Sequence, residues 1–231
     1  MGSYISALTQ RWGRGEANRG RSKCDDCGKT LAAWELVPLF SYLIVRGKCR
    51  TCGAPIGPRA FWVELSGAII GVLVFALDAG LVGLGGALFG WGLLALFLLD
   101  VEQYWLPDRI VLPLGALGLV LGVGSFEDRL IGLISGYLSL EFVRRSYFAF
   151  RGVEGMGGGD PKLFAAIGAW LGWMALPFTL LAASVVGLGV AIVMAGKGGD
   201  IDAKSAMPFG ALMAAAGFAC WVALASGLII L

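Results

Sequence analysis

From residue 60 onward the chain alternates between long apolar runs and short polar breaks. The runs predict helices over 60–77, 81–99, 109–124, 129–147, 162–174, 178–195 and 208–230. Several fall short of the roughly 20 residues a comfortable bilayer crossing needs, so flanking residues must extend them or the bilayer must thin. Residues 1–59 contain no run of this kind and are rich in charge. The pattern therefore predicts two domains, a basic polar segment over 1–59 and a transmembrane domain over 60–231. The expected fold class is an all-α polytopic membrane protein with seven transmembrane helices.

Composition supports the membrane class. Of 231 residues, 58% are hydrophobic and 37 are glycine, with a mean hydropathy of +0.79. A soluble domain of this length buries a full core with far less apolar sequence, whereas a chain solvated by lipid needs this much. The start, Met1-Gly2-Ser3-Tyr4-Ile5, has no apolar core of a cleavable signal peptide.

Charge sets the orientation. The net charge of +2 conceals a basic segment: residues 1–59 hold ten of the eighteen Lys and Arg against four acids. A cytoplasmic segment resting on anionic lipid is the expectation, and no nucleic-acid partner is expected. With that segment inside, the inner loops 100–108, 148–161 and 196–207 have Arg109, Arg144, Arg145, Arg151, Lys162, Lys197 and Lys204 in or beside them. The outer breaks, 78–80, 125–128 and the turn near Pro177, have only Arg129 adjoining. The excess of Lys and Arg inside predicts that Asp100 and Asp160 both face the cytoplasm.

Four of five cysteines are paired by spacing. Lys23-Cys24-Asp25-Asp26-Cys27-Gly28 and Lys48-Cys49-Arg50-Thr51-Cys52-Gly53 repeat one K-C-x-x-C-G turn. Two thiolates grip a metal from one tight turn, and glycine after the second cysteine lets the backbone fold back. Two such knuckles predict a closed, structural Zn2+ site on Cys24, Cys27, Cys49 and Cys52. Iron in place of zinc, and a redox pair of disulfides, are the alternatives, the latter disfavoured by a reducing cytoplasm. Cys220, alone in the last apolar run, is read as a packing residue.

Asp100 and Asp160 each stand where an apolar run meets a polar loop, an expensive place for a carboxylate and usually a functional one. The chain contains no histidine, which excludes imidazole-based triads and His-ligated zinc. Two adjacent carboxylates that share one proton can take a proton from water with one member and donate with the other. Gly157, Gly158 and Gly159 strip side chains from the loop before Asp160, so an extended substrate can lie close to the backbone there. Other acids have plainer roles. Asp108, after Pro107, is expected to cap a helix, Glu102 to be solvated, and Glu64 and Glu141 to pair with arginine.

At these residues the chain resembles the type IV prepilin leader peptidases, membrane aspartyl proteases with a GxGD signature. Asp100 through Asp108 resembles the family segment in which an aspartate leads into Leu-Pro-Asp, and Gly155 to Leu163 resembles its GMGxGDxKL segment. The cysteine module agrees too, with Trp34, Pro38, Ser41-Tyr42 and Arg46-Gly47-Lys48-Cys49, as do Val63-Glu64-Leu65 and Pro208-Phe209-Gly210. The resemblance implies that Asp100 and Asp160 are the catalytic pair and that the four cysteines are metal ligands. It implies removal of the short basic leader of type IV prepilins or type II secretion pseudopilins at the cytoplasmic face of the bacterial inner membrane. It also implies N-methylation of the new N-terminus with S-adenosylmethionine, although the sequence has no nucleotide-binding fingerprint. Family members usually begin with a further transmembrane helix ending in a segment like Gly2-Ser3-Tyr4-Ile5, where this chain starts, so the resemblance leaves seven and eight transmembrane helices as alternatives. Two other functions compete: an ion-coupled transporter with acidic relay residues, and a catalytically inactive zinc-bearing scaffold of the assembly.

Overall fold

The computed structural model describes residues 1–13, 22–24, 26–32, 37, 39–196 and 207–228. Trp34 and Pro38 lie outside the described residues. Among the described residues regular structure is helical, with two isolated bridges, Lys23 with Thr30 and Lys48 with Pro55, in place of strands. The residues form two compact units, Met1–Leu73 and Val74–Leu231, which divide inside a helix.

The first unit contains α1 (Gly2–Gly13), α2 (Phe40–Ile44) and most of α3 (Pro58–Leu77). The apolar pattern predicts neither α1 nor α2. The reason is visible in α1, whose inner face is partly polar: Ile5, Ser6 and Thr9 are all buried. Arg59 Nη2 donates to Thr9 Oγ1 at 2.8 Å and its Nη1 to the Ser6 carbonyl at 3.3 Å. A helix held by polar contacts carries no apolar stripe to detect. Glu64 corrects an expectation: its Oε2 accepts the Leu39 N–H at 2.8 Å instead of an arginine. Leu39 sits at φ 62°, and this carboxylate bond holds that unfavourable turn.

The second unit is built from α4 (Leu81–Gln103), α5 (Asp108–Leu121), α6 (Phe126–Arg151), α7 (Asp160–Leu171), α8 (Ala175–Gly196) and α9 (Phe209–Ala225). Each predicted apolar run is helical. Three helices, α3, α4 and α8, are long and apolar enough to cross a bilayer, and α9 is apolar but 17 residues long. The outer turn expected near Pro177 falls slightly earlier, at Gly172–Met174, and Pro177 lies in the first turn of α8, where its missing N–H costs nothing.

Helix α7 is the centre of this unit. All twelve of its residues except Lys162 are buried, and it packs against α5, α6, α8 and α9. At 1.5 Å per residue it is about 18 Å long, too short for the roughly 30 Å of hydrocarbon. Because protein surrounds it, its ends need not reach the lipid headgroups.

Glycine makes that close sheathing possible. A Cβ built on Gly132 of α6 would overlap the Gly168 carbonyl of α7, and one on Gly168 would overlap that of Gly132. In a bilayer, where lipid is as apolar as leucine, helices associate through van der Waals contact of this kind. Trp170 supplies the bulk on the other side of α7. Its ring stacks on Phe89 with centroids 5.0 Å apart, and its Nε1 donates to the Leu114 carbonyl at 2.8 Å. A buried indole N–H without such a partner would destabilise the core.

Candidate active site and four-cysteine cluster

Asp100 lies in the last turn of α4. That helix ends because Tyr104 takes the left-handed conformation (φ 52°) and its N–H returns to the Asp100 carbonyl at 2.9 Å. Pro107 then holds the chain extended before α5 begins at Asp108. Asp160 is the first residue of α7, with Gly159 before it and Pro161 after it, the proline fitting a first-turn position that needs no N–H. One aspartate therefore closes a helix and the other opens one.

The two side chains meet. Both residues are buried, 5% exposed for Asp100 and 7% for Asp160. A Cβ built on Gly210, in the first turn of α9, would stand 3.0 Å from Asp100 Oδ2 and 3.0 Å from Asp160 Oδ1. The two oxygens are thus no farther apart than twice that distance. The Ala211 N–H donates to Asp100 Oδ2 at 2.7 Å, a short bond of the kind amides make to carboxylates. Leu106, itself buried, lies beside the same glycine: its Cδ1 would lie 2.8 Å from the Gly210 Cβ. No ion pair reaches either carboxylate among the described residues.

The glycine loop is uneven. Gly157 and Gly158 are exposed, and a Cβ on Gly158 meets nothing within 4 Å. Gly159 is different, because a Cβ there would lie 2.7 Å from Leu106 Cβ. Gly157 and Gly158 leave the surface of the loop bare, whereas Gly159 permits the close passage of the loop over Leu106.

Asp108 corrects a second expectation. Pro107, not Asp108, occupies the N-cap of α5, and the Asp108 carboxylate instead binds Lys162 Nζ at 2.7 and 2.8 Å. This pair joins the start of α5 to the start of α7, two residues beyond Asp160. Glu141 does bind arginine, accepting from Arg144 Nε at 2.9 Å and Arg145 Nε at 2.6 Å. Sequence reasoning counted Lys162 only toward orientation, quoted Lys162 and Gly210 only in the resemblance, and gave none of Lys162, Gly210 and Ala211 a role at the site. The signals were present, a lysine two residues after the aspartate and a Pro-Phe-Gly before the last apolar run, but neither says which carboxylate it meets.

In the first unit the two knuckles are near copies. The Cys24 N–H donates to the Lys29 carbonyl and the Gly28 N–H to the Cys24 carbonyl, at 2.9 and 3.0 Å. The same bonds recur from Cys49 to Ala54 and from Gly53 to Cys49, both at 2.8 Å. Gly28 (φ 69°) and Gly53 (φ 73°) take the left-handed conformation that closes each turn. Sγ of Cys24 lies 3.9 Å from that of Cys52, Sγ of Cys27 lies 4.0 Å from that of Cys49, and all four fall within 4.8 Å of one another. A tetrahedron of sulfurs about 2.3 Å from a central zinc has edges of about 3.8 Å. The cluster can therefore hold one tetrahedral ion, and its contacts are about twice a disulfide length of roughly 2 Å. The amides of Cys52 and Thr51 draw the Cys49 thiol down to about 6. The Ala54 amide favours a Cys52 thiolate, but the sulfur of Cys49 beside it and burial leave that thiol pushed up to about 12. Thiols crowded this closely cannot all ionise without a cation among them.

Comparison with known proteins covers both units. Residues 1–77 match the bacterial peptidase A24 N-terminal domain and residues 87–192 the type IV leader peptidase family. The chain is 42% identical over 212 residues to a prepilin leader peptidase/N-methyltransferase of Pseudomonas aeruginosa, covering 89% of this chain and 71% of that protein. A protein of the same name from Stutzerimonas stutzeri is 42% identical, with 89% and 72% covered. One from Aeromonas hydrophila is 41% identical, with 90% and 72% covered. No solved structure matches the chain. Identity of this level, sustained across most of both proteins, shows that the chain belongs to the type IV leader peptidase family.

Proposed function

We propose that this chain is a membrane-embedded aspartyl endopeptidase that removes the leader of type IV prepilins or type II secretion pseudopilins, with Asp100 and Asp160 as its catalytic pair. The observation that carries this reading is the facing of two buried carboxylates across Gly210, with no ion pair to either among the described residues. One carboxylate takes a proton from water as the water oxygen bonds to the scissile carbonyl carbon. The other, protonated, gives its proton to the carbonyl oxygen. The C–N bond then breaks as the first carboxyl gives its newly gained proton to the leaving nitrogen, while the other carboxylate takes a hydroxyl proton from the tetrahedral carbon as its C=O re-forms, which returns the pair to one shared proton. The exposed backbone at Gly157 and Gly158 is where an unwound leader junction would approach.

Loop charge supports seven spans and an active site at the cytoplasmic face of the inner membrane, the depth at which a basic leader joins an apolar stem. Residues 1–59 then form a cytoplasmic segment against membrane lipid. Cys24, Cys27, Cys49 and Cys52 would hold one Zn2+. With all four positions filled by thiolates, the ion would supply folding energy to the module and no open coordination site. N-methylation of the new N-terminus with S-adenosylmethionine is a second proposed activity, supported by the relatives' name.

A transporter would need its acids near the middle of broken helices, whereas Asp100 and Asp160 stand at helix ends. An inactive scaffold has no use for a retained carboxylate pair. The test is co-expression with a prepilin, following leader removal by mass. The wild-type chain is expected to cleave, and Asp100→Asn and Asp160→Asn to insert normally but leave the precursor intact. Cleavage by both variants would overturn the assignment of the pair.

A further inference from the structure

We infer that the first turn of α9 is a positioning element of the active site: Gly210 keeps the face shared by the two carboxylates clear, and the Ala211 amide fixes the Asp100 carboxylate that borders it. The inference rests on the proposed aspartyl peptidase reading.

Three observations converge on Gly210. First, a methyl group there would lie 3.0 Å from one oxygen of each aspartate, well inside ordinary carbon–oxygen contact. Second, Leu106 Cδ1 would stand only 2.8 Å from it on another side, so the leucine would have to shift as well. Third, glycine is not required by the backbone, because Gly210 is a first-turn helical residue without a positive φ. Alanine is the better helix former of the two. Sterics at the carboxylates, not helix geometry, is what the missing side chain serves. A water that bonds both aspartates must lie along their shared face, and a methyl group at Gly210 would part the pair or cover that face.

Ala211 contributes through its backbone. Its N–H is one of the first-turn donors that no intrahelical carbonyl satisfies, and here it is spent on Asp100 Oδ2 at 2.7 Å. That bond occupies one lone pair of Oδ2, the oxygen beside Gly210, and so fixes the orientation of the Asp100 carboxylate toward Asp160. Pairing of this amide with a residue 111 positions earlier in the chain fixes α4 and α9 in register at the site.

The test uses the full-length protein in detergent or proteoliposomes and a synthetic leader-junction peptide. Gly210→Ala should lower kcat by at least a hundredfold in the folded protein, with KM within about threefold of wild type and a fall in melting temperature no larger than that of Gly159→Ala, which meets the same Leu106 side chain. A merely structural glycine would instead lose activity no more than Gly159→Ala does. Gly189→Ala, on α8 where a Cβ meets nothing within 4 Å, is the matched control and should behave as wild type. If Gly210→Ala fails to fold, replacing Ala211 by its α-hydroxy acid analogue gives a second reading, because the ester oxygen removes the N–H donor to Asp100 and adds no atom beside the carboxylate. It should also lower kcat with KM preserved. Gly210→Ala or the folded ester variant with kcat within threefold of wild type would overturn the inference. Asp100→Asn and Asp160→Asn separate the two levels. If both are inactive while Gly210→Ala is active, only the role of α9 fails; if both remain active, the peptidase reading fails whatever Gly210→Ala does.

Discussion

The cysteine cluster and the aspartate pair both bring distant residues together, but by opposite means. Each knuckle is a local object: four residues, one left-handed glycine and two backbone hydrogen bonds place its pair of sulfurs. Only the meeting of the two knuckles is long-range, and a metal with four sulfur ligands can enforce it. The aspartates have no such local device. Asp100 hangs from the end of α4 and Asp160 from the start of α7, and their meeting depends on how closely helices pack. A third helix, α9, completes the arrangement with an amide and a missing side chain. Self-contained turns and a tetrahedral ion tolerate a loose scaffold, whereas a carboxylate pair inherits every error in helix packing.

The sharpest way to break this comparison is to cross the readouts. Asp100→Asn or Asp160→Asn should lower cleavage by about 10²- to 10⁴-fold, the usual worth of a general acid or base, and leave metal content at one equivalent. The double variant Cys24→Ser with Cys49→Ser should lose the metal, measured by elemental analysis, and expose residues 22–56 to limited proteolysis. Its cleavage rate in detergent should fall by less than about tenfold, because no catalytic step runs through a closed four-thiolate site. Absence of metal from wild-type protein purified under reducing conditions would remove one side of the comparison altogether.

A second prediction probes dependence on packing. Gly168→Ala forces α7 away from α6, because its Cβ would overlap the Gly132 carbonyl. Overpacking of this kind typically costs about 1–3 kcal/mol. The melting temperature should fall, and cleavage should fall with it even though Gly168 touches neither aspartate. An unchanged melting temperature would mean that α6 and α7 are not in the contact described. Within the glycine loop, Gly159→Ala should lower the melting temperature through Leu106, whereas Gly158→Trp should leave it alone and act on KM by crowding the exposed approach.

These differences also decide what a single sequence discloses. The knuckles could be read nearly to their hydrogen bonds, because residue type, spacing and glycine position determine a local turn. The apolar runs gave each helix from α3 to α9, since a long apolar stretch folds as helix whether lipid or protein surrounds it. Helix α1 was invisible because Ser6, Thr9 and Arg59 hold it instead of an apolar stripe. Asp100 and Asp160 stood out as acids at the ends of apolar runs. Gly210 and Ala211 did not, since nothing in the spacing of residue 210 from residues 100 and 160 says that their elements meet. The roles of Asp108 and Glu64 were misread for the same reason: a capping carboxylate and a carboxylate with a distant partner look alike until the partner is known.

The smallest effect expected is at Asp108 and Lys162, which tests whether the surface around the pair matters as its interior does. The ion pair is short and two-pronged, yet half of the Asp108 side chain and a third of that of Lys162 face outward (53% and 35%). Exposed pairs of this kind contribute about 0–1 kcal/mol and weaken with salt. Asp108→Asn or Lys162→Met should therefore retain most cleavage, lower the melting temperature slightly, and make turnover less dependent on ionic strength than in wild type. Reversing both charges, Asp108→Lys with Lys162→Asp, should recover more activity than either reversal alone, because the reach between the starts of α5 and α7 is preserved. If either single neutral variant proves as inactive as Asp100→Asn, the pair does more than brace two helix starts. The boundary between the interior that performs the chemistry and the surface that supports it would then have to be redrawn to include Lys162.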